Sequence, residues 1–112
     1  MENGRQFNIR DSDGRYLCPA CGFPGYFAGD SYVESGGLIV TGICPSCGWE
    51  PGYNDCPDAS GAPPTVLESL RDFRRGWTSL GPAWNGDPKE IPAGWDSKAQ
   101  LKQLFKIAPH VR

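Results

Sequence analysis

The sequence has no long run of apolar residues. No segment approaches the roughly 20 consecutive apolar residues that a membrane-spanning helix needs, so we expect no membrane segment. The opening stretch MENGRQFNIR also lacks the apolar core of a secretory signal peptide. We therefore expect a cytoplasmic protein, in a compartment where thiols stay reduced.

Lysine and arginine are absent from residues 16–70, although the whole chain has a net charge of only −2. That stretch carries −6, whereas residues 71–112 carry +4 and residues 1–15 are neutral. A long region without positive side chains repels phosphates, which argues against nucleic acid as the partner of this region. The two halves of the chain are thus expected to face different partners.

A single histidine, His110, is present, and it lies near the C-terminus. It has no partner at a metal-ligand spacing, so we expect it to belong to a solvent-exposed tail. The sequence also lacks a paired-carboxylate motif, a phosphate loop and a nucleophile–base arrangement. We therefore predict that the protein is not an enzyme. Carboxylates that folding alone brings together are the alternative that the sequence leaves open.

The chain is instead rich in residues that form turns and bind metals. It contains five cysteines, 15 glycines and 11 prolines, and hydrophobic residues make up 38% of it. This composition indicates a loop-rich domain with a thin core, which often needs a metal or a disulfide to hold its fold. In a reducing compartment, the cysteines indicate a metal site rather than a disulfide framework.

Four of the cysteines form two pairs with the same local sequence, Cys-Pro-x-Cys-Gly. The first pair is Cys18 and Cys21, and the second pair is Cys44 and Cys47. The proline fixes φ at the start of each turn and the glycine permits a left-handed residue at its end, so both thiolates of a pair can reach one ion. Four thiolates in a tetrahedral arrangement suit Zn²⁺, and such a closed site has no open position at which to activate water. We predict one structural zinc per chain, bound by these four cysteines.

Two alternatives to a zinc site stay open. Iron can occupy the same turns in a rubredoxin-type site, but nothing else in the chain indicates electron transfer. A redox dithiol in each pair normally requires a thioredoxin-like βαβ pattern, which the sequence lacks. Cys56, the fifth cysteine, is expected to be a spare thiol, because four thiolates already complete the site. A replacement ligand, a reactive thiol and an intermolecular contact are the other interpretations of Cys56.

The pattern around the cysteine pairs predicts a small, metal-stapled α+β fold. β-Forming residues on both sides of Ser35-Gly36-Gly37 predict a hairpin that joins the cysteine turns into a zinc ribbon, with LIVTGI (38–43) in its second strand. Irregular Trp- and Pro-rich loops and an ordered loop over residues 49–64 are also expected. The predicted division is a polar, frayed lead-in at 1–15, the ribbon at 16–57, and a helical, loop-rich part at 58–112 that packs on the ribbon as one domain.

Two short helices are predicted in the C-terminal part. The first begins at Thr65, where TVLE fits a capping box, and is expected to end at Gly76. The second covers DSKAQLKQLFKIA, with Asp96 or Ser97 as its N-cap and Pro109 after its end. Apolar spacings of three and four residues predict their inner faces, which are Leu67, Leu70, Phe73 and Trp77 in the first helix and Leu101, Leu104 and Phe105 in the second.

Several of these segments together resemble a known family. CPACGFPGYF, GICPSCGWEPGYND and TVLESLRDF are similar to the bacterial cysteine-rich CPCC family, over roughly residues 16–76. Trp49-Glu50 is the most specific part, whereas Ala20 stands where many members have a further cysteine, and the Trp-rich region after Gly81 is longer than theirs. The resemblance implies a small zinc-binding protein without a defined catalytic activity. For some members it also implies a role as an immunity protein in bacterial toxin systems.

We therefore expect a binding protein whose acidic, aromatic face covers a basic protein, with a bacterial toxin as the partner that the resemblance implies. The alternative is a nucleic-acid-binding or regulatory ribbon that uses Arg71, Arg74, Arg75 and the lysine face Lys98, Lys102 and Lys106. Trp49 and Trp77 are expected in the core, and one of Trp84 and Trp95 is a candidate anchor for a partner. The candidate partner contacts are Asp30, Glu34, Trp49, Glu50, Tyr53, Asp55, Asp58 and Trp84.

Overall fold

The computed structural model describes residues 2–38 and 42–112. Within these residues, two small antiparallel sheets and three α-helices form the fold, so the predicted small α+β class is confirmed. The strands are β1 (Ile9–Arg10), β2 (Tyr16–Leu17), β3 (Tyr32–Val33) and β4 (Gly36–Gly37). The helices are α1 (Pro57–Ser60), α2 (Val66–Ser79) and α3 (Ser97–Ile107), with 3₁₀ turns at Gly4–Phe7, Pro88–Glu90 and Pro109–Val111.

The N-terminal residues form a packed hairpin, which corrects the expectation of a frayed lead-in. β1 pairs with β2 in antiparallel register, with Ile9 opposite Leu17, and both side chains are buried. Phe7 is also buried, and its ring contacts that of Tyr32 edge-to-face. These few apolar residues are isolated among polar ones, so their pattern predicts no strand, and only long-range contacts order them.

The second hairpin turns earlier than predicted. β3 pairs with β4, with Tyr32 opposite Gly37, so the turn lies at residues 34–35 and the two glycines form the second strand. Glycine is needed there for close packing, because a Cβ on Gly37 would lie 2.4 Å from the backbone nitrogen of Gly52. Residues 39–41, part of the predicted second strand, lie outside the described residues.

α2 begins where the sequence predicts and ends later. The Thr65 hydroxyl accepts a hydrogen bond from the Glu68 N–H at 3.1 Å, as in a capping box. The helix continues through Gly76, the predicted end, because Trp77 beyond it packs against the core and tertiary packing outweighs the low propensity of one exposed glycine. The left-handed glycine after the helix is Gly81, with φ of 72°.

A second cap on α2 comes from the other end of the chain. The Glu2 carboxylate accepts hydrogen bonds from the N–H groups of Val66 at 2.8 Å and Leu67 at 3.0 Å. These amides have no acceptor inside the helix, and the carboxylate also lies at the positive end of the helix dipole. Glu2 therefore attaches the N-terminal segment to α2.

α3 follows the prediction closely. The carboxylate of its N-cap, Asp96, accepts hydrogen bonds from two N–H groups of the first turn. Leu104 is fully buried on its inner face, and Leu101 and Phe105 pack partly buried beside it. The chain after α3 is not a fully exposed tail. His110 is exposed as expected, but Val111 next to it is fully buried.

One core joins the hairpins, the cysteine turns and the helices. At its centre the Trp49 indole N–H donates to the Tyr32 hydroxyl at 2.8 Å, and the Trp49 ring contacts Phe73 of α2. α1, a single helical turn, lies within the loop predicted over 49–64. None of the helices in the described residues is both long and apolar enough to cross a membrane.

Candidate metal centre

The four cysteines of the two predicted pairs meet at one point. Their sulfur atoms all lie within 4.8 Å of one another. The Sγ–Sγ distances are 3.7 Å for Cys18 and Cys47 and 3.7 Å for Cys21 and Cys44. A tetrahedron with Zn–S bonds of about 2.3 Å has sulfur–sulfur edges of about 3.8 Å. The cluster could therefore bind a metal ion with little rearrangement.

The two turns that present these sulfurs have the same backbone geometry. In the first turn the N–H of Gly22 donates to the Cys18 carbonyl at 2.7 Å, and in the second the N–H of Gly48 donates to the Cys44 carbonyl at 2.8 Å. Both glycines are left-handed, with φ of 88° and 91°, as the repeated sequence predicts. Only glycine adopts this conformation readily, so the glycines fix the directions of both thiol pairs.

The cluster is closed to solvent. All four cysteines are buried, and the backbone N–H of Trp49 donates to the Cys47 sulfur at 3.4 Å. Without a metal, burial raises the pKa of the Cys18 and Cys47 thiols well above their ordinary range. Thiolates are the ligands that metals bind, so a cation is what would stabilise them here. An ion in so closed a site has no position for a substrate.

A buried arginine adjoins the first cysteine turn. Arg74 of α2 is only 7% exposed, and its guanidinium donates to the carbonyls of Ala20 at 2.7 Å and Pro19 at 2.8 Å. The group also lies over the Phe105 ring, 4.8 Å from its centroid. Burial lowers the pKa of Arg74 to about 10, so the side chain remains charged at neutral pH. Among the described residues, no carboxylate lies within ion-pair distance of it.

The unpaired positive charge of Arg74 favours sulfurs that are ionised as thiolates. An ionised group buried without a counter-charge is strongly unfavourable. Four neutral thiols would not balance Arg74, whereas four thiolates around a divalent ion carry two net negative charges. The donor set, the sulfur spacing and the buried guanidinium thus all fit a divalent metal.

Gln100 of α3 contacts both cysteine turns. Its side-chain amide donates to the Cys21 carbonyl at 3.2 Å and to the Ser46 hydroxyl at 3.0 Å, and its carbonyl accepts from the Trp95 indole at 2.9 Å. α3 can come this close because Gly22 has no side chain, and a Cβ there would lie 2.7 Å from the Gln100 backbone oxygen. Gln100 therefore joins the two turns to α3.

Sequence reasoning missed both of these supporting residues. Arg74 lies four positions after Leu70 and three before Trp77, which places it on the buried face of α2, but its charge suggests solvent. Gln100 carries no local signal, since its acceptors are in turns more than 50 residues away. Burial of an arginine on an apolar helix stripe is the one signal that the sequence offers.

The two residues left unassigned by the sequence lie outside the cluster. Cys56 is half-buried at the N-cap of α1 and does not belong to the group of converging sulfurs. His110 is exposed, and its Nε2 lies 2.8 Å from the Gln6 carbonyl oxygen. Neither residue therefore contributes to the four-cysteine cluster.

Two of the predicted partner contacts are interior residues, which corrects their assignment. Trp49 is 0% exposed and Asp55 is 8% exposed. One Asp55 oxygen accepts from the Gly52 N–H at 2.8 Å, and the other is buried without a hydrogen-bond partner in the described parts of the chain. Trp49 is buried because its large ring supplies much of the apolar area of a thin core. Asp55 is buried because its carboxylate accepts a hydrogen bond within the loop that follows the second cysteine turn.

The other predicted contacts lie at the surface. Asp30, Glu34, Tyr53 and Asp58 are exposed, and Glu50 and Trp84 are half-buried. The Asp30 carboxylate accepts from the Tyr16 hydroxyl at 2.6 Å. Six of the eight candidates thus remain accessible to a partner.

Comparisons with protein-family models, with curated proteins and with solved structures find nothing that matches this chain. The resemblance to the CPCC family accordingly stays a prediction. The structure itself supports a cluster of four buried cysteines that could bind a metal ion.

Proposed function

We propose that this protein is a small zinc-stapled binding protein that recognises a basic protein through its acidic, aromatic surface. The observation that carries the proposal is a separation of roles within residues 16–70. The sulfurs are enclosed in the core, whereas Asp30, Glu34 and Asp58 are exposed in a stretch without a lysine or an arginine. Metal binding would then serve the fold, and the surface would serve recognition.

Zinc is the metal that the chemistry favours. It takes four thiolates in tetrahedral geometry, and four thiolates with Zn²⁺ carry two net negative charges, one of which Arg74 would balance. Metal analysis by mass spectrometry of the purified protein tests this, with one zinc per chain expected. An iron-loaded protein with the visible absorbance of a ferric thiolate site would contradict it.

Occlusion is the mechanism that we propose for the surface. A basic protein that binds nucleic acid does so through a positively charged cleft. The acidic surface of this chain would block such a cleft both sterically and electrostatically. The cytoplasm is the proposed location. The resemblance to the CPCC family adds a specific hypothesis, in which the partner is a bacterial toxin and this chain is its immunity protein.

Affinity purification from native cytosol tests the proposal with two matched variants. One variant neutralises three acids (Asp30→Asn, Glu34→Gln, Asp58→Asn), and the other neutralises three lysines (Lys98→Gln, Lys102→Gln, Lys106→Gln). We expect the unmodified chain and the lysine variant to retain a basic protein that the acid variant loses. Retention of that protein by the acid variant, or recovery of no stable partner, would contradict the proposal.

The second candidate is nucleic-acid binding through the C-terminal half. Lys98, Lys102 and Lys106 favour it, since all three are exposed on one face of α3. Arg74 is no longer available for it, because its guanidinium is buried against the first cysteine turn. This candidate predicts binding of mixed DNA and RNA with a steep salt dependence, abolished in the lysine variant.

A further inference from the structure

A groove of about 570 Å³ lies beside the first cysteine turn. Phe23 and Trp95 line it, and it runs between the β1–β2 turn and the start of α3. Neither ring is fully buried, so both present aromatic surface to whatever enters the groove. A cleft that combines aromatic surface with a few charged groups at its edge is typical of sites that receive a side chain.

The two aromatic rings that line the groove, Phe23 and Trp95, are joined behind it by a third ring, Trp84. Trp84 contacts Phe23 on one side and Trp95 on the other, with centroid separations of 5.3 Å and 5.2 Å and nearly perpendicular planes. Edge-to-face pairs at this spacing are favourable, so the rings fix one another's orientation. The wall is therefore formed before any ligand binds.

The rim of the groove is negatively charged. Asp11, Asp13 and Asp96 line it, with Arg15 as the single basic residue of the lining. Arg15 is already neutralised, because its guanidinium lies 2.9 Å from the Asp11 carboxylate and 3.6 Å from that of Asp13. Asp13 is 75% exposed, so its carboxylate is accessible to an incoming cation even though it also lies near Arg15.

We propose that this groove receives an arginine or lysine side chain from the basic protein partner, an inference that rests on the proposed function. A cation over an aromatic face is attracted by the ring, and tryptophan is the best such ring. The head group of the same side chain would reach Asp13 or Asp96 at the rim. Arginine fits better than lysine, since its planar group can stack on Trp95 and still donate to a carboxylate.

The cysteine cluster holds this groove in shape. The first turn carries Phe23, and the Gln100 amide joins Trp95 to both turns. Next to Trp84, the Asn85 N–H donates to the carbonyl of Pro45 in the second turn. Rigid walls reduce the ordering cost of binding, so a bound metal would raise the affinity of the groove.

The test uses the full, zinc-loaded chain and an acetylated hexa-arginine peptide as the probe. The matched peptide contains citrulline, an uncharged isostere, in place of arginine. Binding is measured by tryptophan fluorescence and by the chemical shifts of backbone and indole N–H groups. We expect the arginine peptide to shift the Trp95 indole signal and the backbone signals of Asp13 and Asp96, and the citrulline peptide to leave them unchanged.

Two charge reversals separate the groove from the general charge of the protein. Asp13 and Asp72 both lie 3.6 Å from an arginine and are 75% and 66% exposed, but only Asp13 is at the groove. We expect Asp13→Lys to weaken binding of the arginine peptide about fivefold and Asp72→Lys to leave it nearly unchanged. Zinc content and circular dichroism verify that both variants are folded.

Several results would contradict the proposal that the groove binds a basic side chain. The groove would be rejected as the binding site, while the proposed function stands, if the two charge reversals had equal effects. Chemical-shift changes confined to the face that contains Asp30 and Glu34 would have the same consequence. The groove would also be rejected as an arginine site if the citrulline peptide bound equally well. The same holds if the protein self-associated through these residues, or if a single-stranded oligonucleotide shifted the Trp95 signals. Failure of both the arginine peptide and every basic protein to bind would reject the proposed function as well.

Discussion

Arg74 on α2 donates a 2.7 Å hydrogen bond to the carbonyl of Ala20, which lies between the two cysteines of the first turn. No carboxylate in the described residues lies within ion-pair distance of this buried guanidinium. The pair therefore connects the longest helix to the candidate metal centre through a hydrogen bond, to which metal-bound thiolates would add an attraction between opposite charges.

Replacing this arginine should destabilise the metal-loaded protein. In Arg74→Met, two turn carbonyls lose their donor and the thiolate cluster loses its counter-charge, so we expect a loss of about 3 kcal/mol in the free energy of unfolding. Arg75→Met, at the exposed neighbouring position, should change it by less than about 0.5 kcal/mol. Urea unfolding of the zinc-loaded variants measures both. An unchanged Arg74→Met protein would show that the cluster needs no positive partner.

Removal of the metal should unfold the region around the cysteines. The chain has a thin core, and the cysteine cluster joins two turns that are buried in it, so much of the free energy of folding would come from metal binding. We expect chelation to abolish the native circular dichroism and the cooperative melting of residues 16–57, and zinc to restore both. Melting that is insensitive to a strong chelator would show that the cluster is not a structural metal site.

The fifth cysteine should be dispensable for the metal. Because Cys56 lies outside the converging sulfurs, Cys56→Ser should still purify with one zinc per chain. Cys47→Ser is the matched control and should bind the metal much more weakly, since it lacks one of the four thiolate ligands. Metal analysis by mass spectrometry compares the two proteins. Loss of zinc in Cys56→Ser would make this residue a ligand.

Asp55 should make stability depend on pH. Burial raises the pKa of this carboxyl above its ordinary value of 3.8, so the folded state favours the protonated form. The stabilising contribution of Asp55 is then complete below about pH 4 and is lost as the pH rises through the raised pKa. The stability of Asp55→Asn relative to the unmodified chain should therefore increase from pH 4 to pH 7.

The exposed substitution Asp58→Asn controls for the loss of one negative charge. Urea unfolding at several pH values gives the comparison for both variants. A relative stability of Asp55→Asn that falls as the pH rises would show that the buried carboxylate is stabilised in its ionised form.

Glu2 should stabilise α2 from a distance. Its carboxylate accepts hydrogen bonds from two first-turn amides, so Glu2→Ala should reduce the free energy of unfolding by about 1 kcal/mol. Glu2→Gln keeps an acceptor but removes the charge, and an intermediate loss is expected. Glu34→Ala, an exposed control on the neighbouring hairpin, should have little effect. Equal losses in Glu2→Ala and Glu34→Ala would reject the cap.

The features that the sequence predicts well are those fixed by neighbouring residues. Each cysteine turn needs only its own proline and glycine, and Thr65 and Asp96 cap helices whose apolar periodicity is local. These features fold as predicted because no distant contact competes with the local preference.

The features that the sequence does not reveal depend on contacts between distant segments. Gly37 is a strand residue and not a turn residue because it pairs with Tyr32, and the backbone of Gly52 packs closely against it. Glu2 caps a helix that begins 64 residues later, and the carbonyl acceptors of Arg74 lie 54 and 55 residues earlier. No local pattern encodes these pairings, since they exist only once the chain has folded.

Gln100 touches a cysteine turn with one end of its amide and the indole of Trp95 with the other. Any effect that binding at one site has on the affinity of the other acts equally in both directions. If a bound metal tightens the groove around a basic side chain, a partner in the groove must raise the metal affinity by the same factor. The complex would then keep its metal at concentrations of free metal that strip the isolated protein.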